Sequence, residues 1–355
     1  TGQFLWQFDC LAPETQIMTI DGDQSVKDVV VGDLVLTHRG RFRKVLRTYE
    51  RPEAAYPAFC IHKKTGDTRP LVLTGNHPIW TSDGNSEPEW RKLEDGILLP
   101  ESHYIFPHLK PEVASDHEYH LSIPHGRWTK KDVTIRPSEE LGFLVGLFLG
   151  DGHIGHDKGV PQYVCFSLSS YQDYVVNRLK QSVKTLFGIE QVSVWHGLGN
   201  KKYIRVQIGN QALAKFLLDL CGTGSRAKRL SRSVFGWSNA AIVGLIEGLY
   251  ESDGCNSRSG MAITSVNSSL LSQVKMLLAK VGVFATFSEH HSKGFYGRPQ
   301  KSFRLNISGK QTELLPFLQC QTSRQLFQQT EDGFLMGAAK FGSWVESITF
   351  NGKLY

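Results

Sequence analysis

The stretch LVGLFLGDG, residues 144–152, decides how this chain is read. It is apolar or glycine everywhere except Asp151, it holds three glycines, and it closes on Asp-Gly. A glycine costs a helix about 0.5–1 kcal/mol relative to alanine, so a greasy helix carrying several needs a reason. The reason sharpens 102 residues further on, where IEGLYESDG (246–254) repeats the frame and ends on Asp253-Gly254. Sliding one segment onto the other superposes Gly142, Gly146 and Gly150 on Gly244, Gly248 and Ser252. A small residue at every fourth position makes one stripe along a helix. Such stripes let two helix backbones approach more closely than bulky side chains permit.

The repetition continues beyond the helices. KKYIRVQI (201–208) and KSFRLNIS (301–308) alternate with period two, as half-buried strands do. Ile204, Val206 and Ile208 are expected to face a core, with Tyr203, Arg205 and Gln207 opposite. In the second copy Phe303, Leu305 and Ile307 point inward, and Ser302, Arg304 and Asn306 outward. Helical stretches flank each strand: 171–188 and 211–222 in one copy, 269–282 and 312–321 in the other. Each copy reads as helix, two strands, helix, two strands, helix.

Each aspartate falls at the C-terminal end of its helix, where the macrodipole already concentrates negative charge. If the stripes pack together, two carboxylates meet at two negative helix ends, and something positive must intervene. A hard divalent cation, completed by water and phosphate oxygens, is the natural neutraliser. The same arrangement drives phosphodiester cleavage, by activating water and stabilising the leaving oxygen. An Asp-Gly that merely stops a helix explains one such motif, not a matched pair.

The two segments resemble the paired LAGLIDADG motifs of homing endonucleases, in the single-chain form with both copies fused. Leu149 stands where the family name has its first Asp, and Glu251 stands there in the second copy. The resemblance implies that Asp151 and Asp253 bind Mg²⁺ at the helix interface. It implies an α+β domain over 137–330, with αββαββα repeats at 137–222 and 239–330 joined by a linker at 223–238. It further implies a monomer whose outward strand faces form a saddle in the DNA major groove.

The preceding stretch is of another kind. Residues 10–45 alternate short β-like runs with turns, and VKDVVVGDLVLT (26–37) reads as strand, turn, strand. TGNHPIWT (74–81) places Thr74 three residues before His77. Alone, Cys10 reads as a small buried hydrophobe. Together, Cys10, Thr74 and His77 resemble the first two splicing blocks of an intein, the all-β Hint fold. In that family the leading cysteine, here Cys10, attacks the carbonyl of the preceding residue, here Asp9, turning an amide into a thioester. His77 then supplies or relays a proton and Thr74 donates a hydrogen bond. A LAGLIDADG nuclease inserted in a Hint domain is a known combination, and it implies four parts. They are a host-protein (extein) remnant at 1–9, a splicing domain at 10–136, the nuclease, and a return to the Hint domain at 331–355. Inteins finish on a His-Asn pair followed by Cys, Ser or Thr, whereas this chain ends at ESITFNGKLY. The reading therefore expects no splicing by these 355 residues alone. The chain is either half of a split intein, completed by a separate C-terminal fragment, or a truncated form.

Basic residues supply the remaining candidates. GSRAKRLSRSV (224–234) joins the two copies without the apolar periodicity of either. It reads as a solvated linker, or, by the family resemblance, as the carrier of a lysine near the scissile phosphate, Lys228. The matching place after copy two holds Arg324 and no lysine; Lys202 and Lys301 are lesser candidates on the strands. HGRWTKKDVTIR (125–136), with Lys130 and Lys131, is either an additional DNA contact or a wet linker. HHSKGFYGRPQK (290–301) reads as a hairpin tip of the sort that reaches along a DNA backbone. Arg205, Gln207, Arg304 and Asn306 are side-chain types that pair with guanine or adenine in the major groove. Since the copies differ at the other outward positions, the target is expected to be long double-stranded DNA and only faintly palindromic.

Composition agrees with this reading. At 355 residues, 40% hydrophobic and 21% charged, the chain is long enough for about two or three domains and has ordinary globular composition. A net charge of +6 suits a polyanionic partner. Six scattered cysteines without a CxxC pair argue against a zinc site or a disulfide scaffold and fit a reducing compartment. The N-terminus is no signal peptide and no run is long enough to span a bilayer, so a cytoplasmic protein without a membrane partner is expected. Two rival readings stand beside the nuclease. In one it has decayed, leaving a self-processing element that only binds DNA there; in the other the inserted domain is an architectural or maturase-like module.

Overall fold

The computed structural model describes residues 9–62, 69–82, 87–95, 103–107, 118–125, 129–197, 203–257, 260–293, 299–308, 315, 328–329, 333–337 and 344–355. Among them are five α-helices: α1 (Glu139–Asp151), α2 (Asp173–Phe187), α3 (Gln211–Cys221), α4 (Asn239–Asp253) and α5 (Ser268–Lys280). Local chemistry sets their starts. Ser138 and Ser238 cap α1 and α4 in matching geometry, each hydroxyl accepting from the amide three residues on at 3.3 Å. Asn210 and Asn267 do the same for α3 and α5 at 3.0 Å.

The glycine stripes face each other across α1 and α4. A Cβ placed on Gly142 or Gly146 would lie 2.0 Å from the carbonyl oxygens of Ala241 and Leu245. A Cβ placed on the reciprocal positions Gly244 and Gly248 would lie 2.2 and 2.1 Å from the oxygens of Glu139 and Phe143. No side chain fits at such separations, so backbone lies on backbone. Most of the apolar remainder of both helices, including Phe143, Phe148, Leu245 and Leu249, is buried in the main core, with Val243 and Tyr250 partly buried against it.

Each helix runs into a four-stranded antiparallel sheet with the same strand order. The first orders Gly152–Asp157, Val160–Ser169, Tyr203–Ile208 and Ser193–His196; the second orders Gly254–Ser257, Gly260–Ser265, Pro299–Ser308 and Ala285–Lys293. Ile204, Val206 and Ile208 are buried, as are Leu305 and Ile307, while Phe303 packs half-buried against the same core. In the first copy two helices follow α1 in the anticipated order; in the second, the stretch 312–321 lies outside the described residues except for buried Leu315.

Outside the helical unit the described chain is made of strands and short 3₁₀ turns. Gly22–Ser25, Gln16–Thr19, Leu34–Leu36 and Phe42–Lys44 form one sheet in that order. The long strand Arg51–His62 pairs with Leu71–Thr74 on one side and with Trp344–Leu354 on the other. Gly333–Gly337 pairs with His103–Pro107. The chain thus returns, after the helices, to strands laid down before them. One expectation fails here: 26–37 is not two strands, because Val26–Asp28 forms a 3₁₀ turn and only Leu34–Leu36 is extended. The Asp33 carboxylate accepts from Val30 N at 3.0 Å and Gly32 takes φ +106°, which bends the chain through the valines. The hairpin Tyr119–His125/Thr129–Ile135 buries Ile123 and Ile135 in the main core. No helix among the described residues is long and apolar enough to cross a membrane.

Candidate functional site

The glycine contact delivers two carboxylates to one place. Asp151 and Asp253 end their helices side by side; a Cβ on Gly150 would stand 3.4 Å from the Asp253 carboxyl carbon. Burial, then the Asp253 charge, pushes the Asp151 carboxyl up to about 6, against the opposing pull of Lys228. Burial also raises Asp253, again opposed by Lys228. Two carboxylic groups that resist ionisation at adjacent negative helix ends are an arrangement with a shortage of positive charge.

Lys228 supplies part of it. The segment carrying it is solvated at 224–227, Arg229 and Arg232 but anchored by buried side chains: Lys228 is 5% exposed, Leu230 1% and Val234 0%. Its ammonium donates to the carbonyl oxygens of Phe148 (2.6 Å), Leu149 (3.0 Å), Gly150 (3.4 Å) and Gly152 (2.7 Å). It therefore caps the end of α1 beside Asp151, and burial holds its pKa down to about 8. At α4 no lysine takes that place among the described residues; the Ser252 hydroxyl bonds back to the carbonyls of Gly248 and Leu249, the counterparts of Gly146 and Leu147, at 3.2 and 3.0 Å. Glu251 does not join the aspartates: Tyr174 donates to its carboxylate and Gln172 to its backbone oxygen.

The outward sheet faces carry the anticipated side chains. Arg205 is exposed and held by Cys165 Sγ (3.2 Å), Gln207 Oε1 (3.3 Å) and the Trp195 ring (5.9 Å). Asn306 donates to Ser288 at 3.4 Å, and Arg304 donates from Nη2 to Cys255 Sγ at 3.6 Å while its buried Nε has no partner among the described residues. Lys301 lies on its strand but not on the face of the other candidates. It shares the parity of Phe303 and Leu305, lies on the face opposite Arg304, and pairs with Glu289 at 2.8 Å. Lys202 and Arg324 lie outside the described residues, as does the tip of the 290–301 hairpin, whose flanking strands pair from Ala285–Ile307 to Lys293–Pro299. Lys130 and Lys131 stand exposed on their strand.

A second constellation forms at Cys10, which is 3% exposed. Its amide donates to Thr74 Oγ1 at 3.1 Å, and Thr74 returns a backbone bond to the Cys10 oxygen at 3.0 Å. Thr74 Oγ1 thus accepts from the amide of the Asp9–Cys10 bond instead of donating to a developing oxyanion; its own proton lies toward the Cys10 oxygen at 3.4 Å. His77 is hydrogen-bonded to the Asp9 backbone, its pKa lowered by burial and only partly restored by Asp9, and its Nδ1 has no hydrogen-bond partner among the described residues. Burial raises the Cys10 thiol, with Arg51 opposing. Sequence reasoning missed Arg51, which no motif signals. Leu11 and Tyr355 exchange backbone bonds at 2.6 and 2.9 Å, so the last strand lies beside this cysteine.

Comparison with known proteins agrees with the helical half. Residues 138–222 and 240–313 match the model of a LAGLIDADG-like domain. The chain is 24% identical over 346 residues to the ATP-dependent DNA helicase Hel308 of Thermococcus kodakarensis, covering 85% of this chain and 30% of the helicase. It is 26% identical over 153 residues to the DNA-directed RNA polymerase subunit Rpo1C of Methanocaldococcus jannaschii, covering 42% of this chain and 17% of that subunit. The chain therefore spans under a third of the length of either. Among solved structures, I-DmoI in complex with DNA and Mn matches with TM-score 0.40 and 16% identity, over 52% of this chain and 99% of that one. The gp41-1 intein matches with TM-score 0.21 and 14% identity, over 36% and 85%.

Proposed function

We propose that the LAGLIDADG-like domain of this chain is a site-specific endodeoxyribonuclease, set within a protein-splicing element formed by residues 10–136 and 331–355. The observation that carries the nuclease reading is the meeting of Asp151 and Asp253 at two backbone-packed helix ends, between two sheets of like order. An all-oxygen donor set suits a hard cation such as Mg²⁺. The described residues hold no cluster of three or more His, Cys, Asp or Glu side chains, so Asp151 and Asp253 would hold such an ion with water and phosphate oxygens as its further ligands. Bound there, the ion supplies charge to the attacking water and to the leaving oxygen. The chain's own part is to hold the two carboxylates, to offset them with Lys228, and to orient DNA through Arg205, Gln207, Arg304 and Asn306 in the major groove.

The splicing reading rests on Asp9, Cys10, Thr74 and His77 meeting at one peptide bond. Cys10 Sγ attacks the Asp9 carbonyl carbon, the Asp9–Cys10 C–N bond breaks, and the thiol proton passes to the freed amine. Thr74 fixes that nitrogen and His77 moves the proton. A segment shared by a helicase and an RNA polymerase subunit, and small in each, supports an element inserted into unrelated hosts.

The deciding assay is cleavage of a randomised duplex library with Mg²⁺ against Ca²⁺. A defined double-strand cut, lost in Asp151→Asn, supports the nuclease; specific binding without a cut supports a decayed, DNA-binding domain instead. For splicing, excess thiol should release residues 1–9, and Cys10→Ala should abolish release. No release by mass spectrometry, with a C-terminal fragment supplied, would remove the thioester role from Cys10.

A further inference from the structure

The first strand hairpin of the splicing unit ends in a socket on the helical unit. Its turn, Thr19 to Asp23, lies against α5 and the segment following Lys228. The Asp23 carboxylate, 1% exposed, pairs with Arg69 at 2.5 Å and accepts from Ser272 of α5. Ser269 donates to the Asp23 oxygen at 3.3 Å. Arg232 grips Asp21 through two bonds, at 2.6 and 3.1 Å. At the tip, Gly22 has φ +111°, and a Cβ there would lie 2.7 Å from the Ser269 Cβ and 2.9 Å from its oxygen. Only glycine fits, on grounds of both conformation and space.

The bonds continue inward. Gln273 of α5, with no exposed surface, donates to Ile20 O of the hairpin at 2.9 Å and to Leu230 O at 3.0 Å. Its Oε1 accepts from Leu230 N at 2.8 Å. One amide thus spends all three bonds on fixing Leu230 to the hairpin. Two residues before Leu230, the Lys228 oxygen accepts from Asn267 Nδ2 at 2.6 Å. The Lys228 side chain then reaches the α1 end beside Asp151.

We infer that Gln273 is a positioning residue for DNA cleavage, through which the hairpin tip of the splicing unit holds Lys228 against the end of α1. The inference rests on the nuclease reading for its catalytic consequence, but not for its structural one. A buried amide needs its hydrogen bonds, yet a structural amide has no need to join three separate segments of chain at the one that carries Lys228. Arg69 extends the tie. It lies two residues before the strand Leu71–Thr74 that carries Thr74, and its guanidinium sits 4.6 Å over Phe287 of the second sheet. Both candidate centres therefore hang on the same hairpin.

The test uses the full chain and two perturbations from opposite sides of the socket, Gly22→Val and Gln273→Leu, with circular dichroism to show that each folds. The first readout needs no DNA. Lysine labelling by reductive methylation, followed by mass spectrometry, should find Lys228 protected in the parent and modified at least about fivefold faster in both variants, with labelling of Lys130 and Lys131 unchanged. Unchanged Lys228 protection in folded variants overturns the inference, whether or not the chain cuts DNA. If Gly22→Val does not fold, Gly22→Ala and Gln273→Glu replace the pair; the glutamate keeps the acceptor for Leu230 N and loses both donors.

The second readout is the single-turnover cleavage rate on a target selected from the randomised library. Both variants should lose about tenfold in rate at unchanged DNA affinity. In a Lys228→Met background neither should lose more, because the residue they act through is gone. Equal losses in both backgrounds would make the role merely structural and overturn the inference. A parent that cuts nothing removes the nuclease reading and leaves the labelling result to stand or fall alone.

Discussion

The ends of α1 and α4 share a backbone and differ in chemistry. Both helices start on a serine cap, run a small-residue stripe, and stop at Asp-Gly with a strand beyond. At α1 an ammonium sits on four carbonyls at the helix end; at α4 a hydroxyl bonds two carbonyls earlier in the same helix, and the neighbouring glutamate is tied to the other repeat. The stripe is symmetric because the contact is reciprocal: a side chain on either helix meets a carbonyl of the other. The charge around the aspartates carries no such constraint, since each is set by whichever segment passes nearby.

The first way to break this comparison is through the glycines. Gly146→Val and Gly248→Val should each cost more than about 4 kcal/mol and leave little folded protein, because helix backbones must separate to admit the side chain. The losses should be nearly equal, the two positions facing carbonyls at 2.0 and 2.1 Å. Denaturant titration of the milder Gly→Ala pair checks this, and one alanine tolerated while the other is not would show that the close contact is one-sided.

Next in size is Lys228→Met against Ser252→Ala. Removing the ammonium takes the cation from four carbonyls, of which Phe148 O keeps the Gly152 N–H, and from two carboxylates, and should cost about 1–3 kcal/mol. Removing the hydroxyl should cost well under half as much, since it is neutral, has one proton to donate and offsets neither carboxylate. Urea midpoints measured on both variants at one pH compare them directly. Equal losses would mean that Lys228 acts as an ordinary cap.

A smaller and pH-dependent effect separates charge from packing. The Asp151 carboxyl titrates near 6 in the folded chain against an ordinary value of 3.8. Between those values the folded state holds the extra proton, so stability falls as pH rises from about 4 to about 6 and is level above. Asp151→Asn cannot ionise and escapes that loss. Its melting temperature should exceed the parent's at pH 7 and match it near pH 3. A deficit at both values would mean that the carboxylate is a structural partner.

Much of this was legible in the sequence because it is periodic. The glycine stripe, the matched Asp-Gly ends and the alternation at 203–208 and 303–307 are local patterns that secondary structure reads directly. Lys228 could be found by position, but its burial could not, since nothing local shows that four carbonyls await it. Gln273 was missed for a related reason: within SLLSQVKMLLAK it reads as one polar residue on a helix, and only the hairpin 253 positions away gives it a partner. The direction of the Thr74 bond also depended on folded geometry, because a hydroxyl both donates and accepts. The valines of 26–37 misled because β-branched residues suggest a strand even where Asp33 and Gly32 make a turn.

The smallest effects concern recognition, where the two sheets differ in how they hold their arginines. Among the described residues, Arg205 is braced by Cys165, Gln207 and Trp195, whereas Arg304 has one weak sulfur partner and a buried Nε without any. A braced guanidinium loses less freedom on meeting a base, so Arg205→Ala should cost more than Arg304→Ala, both within about 1–3 kcal/mol and each relaxing preference in one half-site. Lys130→Ala and Lys131→Ala, on exposed strand positions, should weaken binding uniformly across sequences and shallow its salt dependence by about one unit of slope or less. Selection of cleavage sites from randomised DNA, repeated at two salt concentrations, separates the classes. If the arginine variants keep the parent's base preferences while the lysine variants change them, the surface that reads sequence is the hairpin 119–135, and the two sheets serve another purpose.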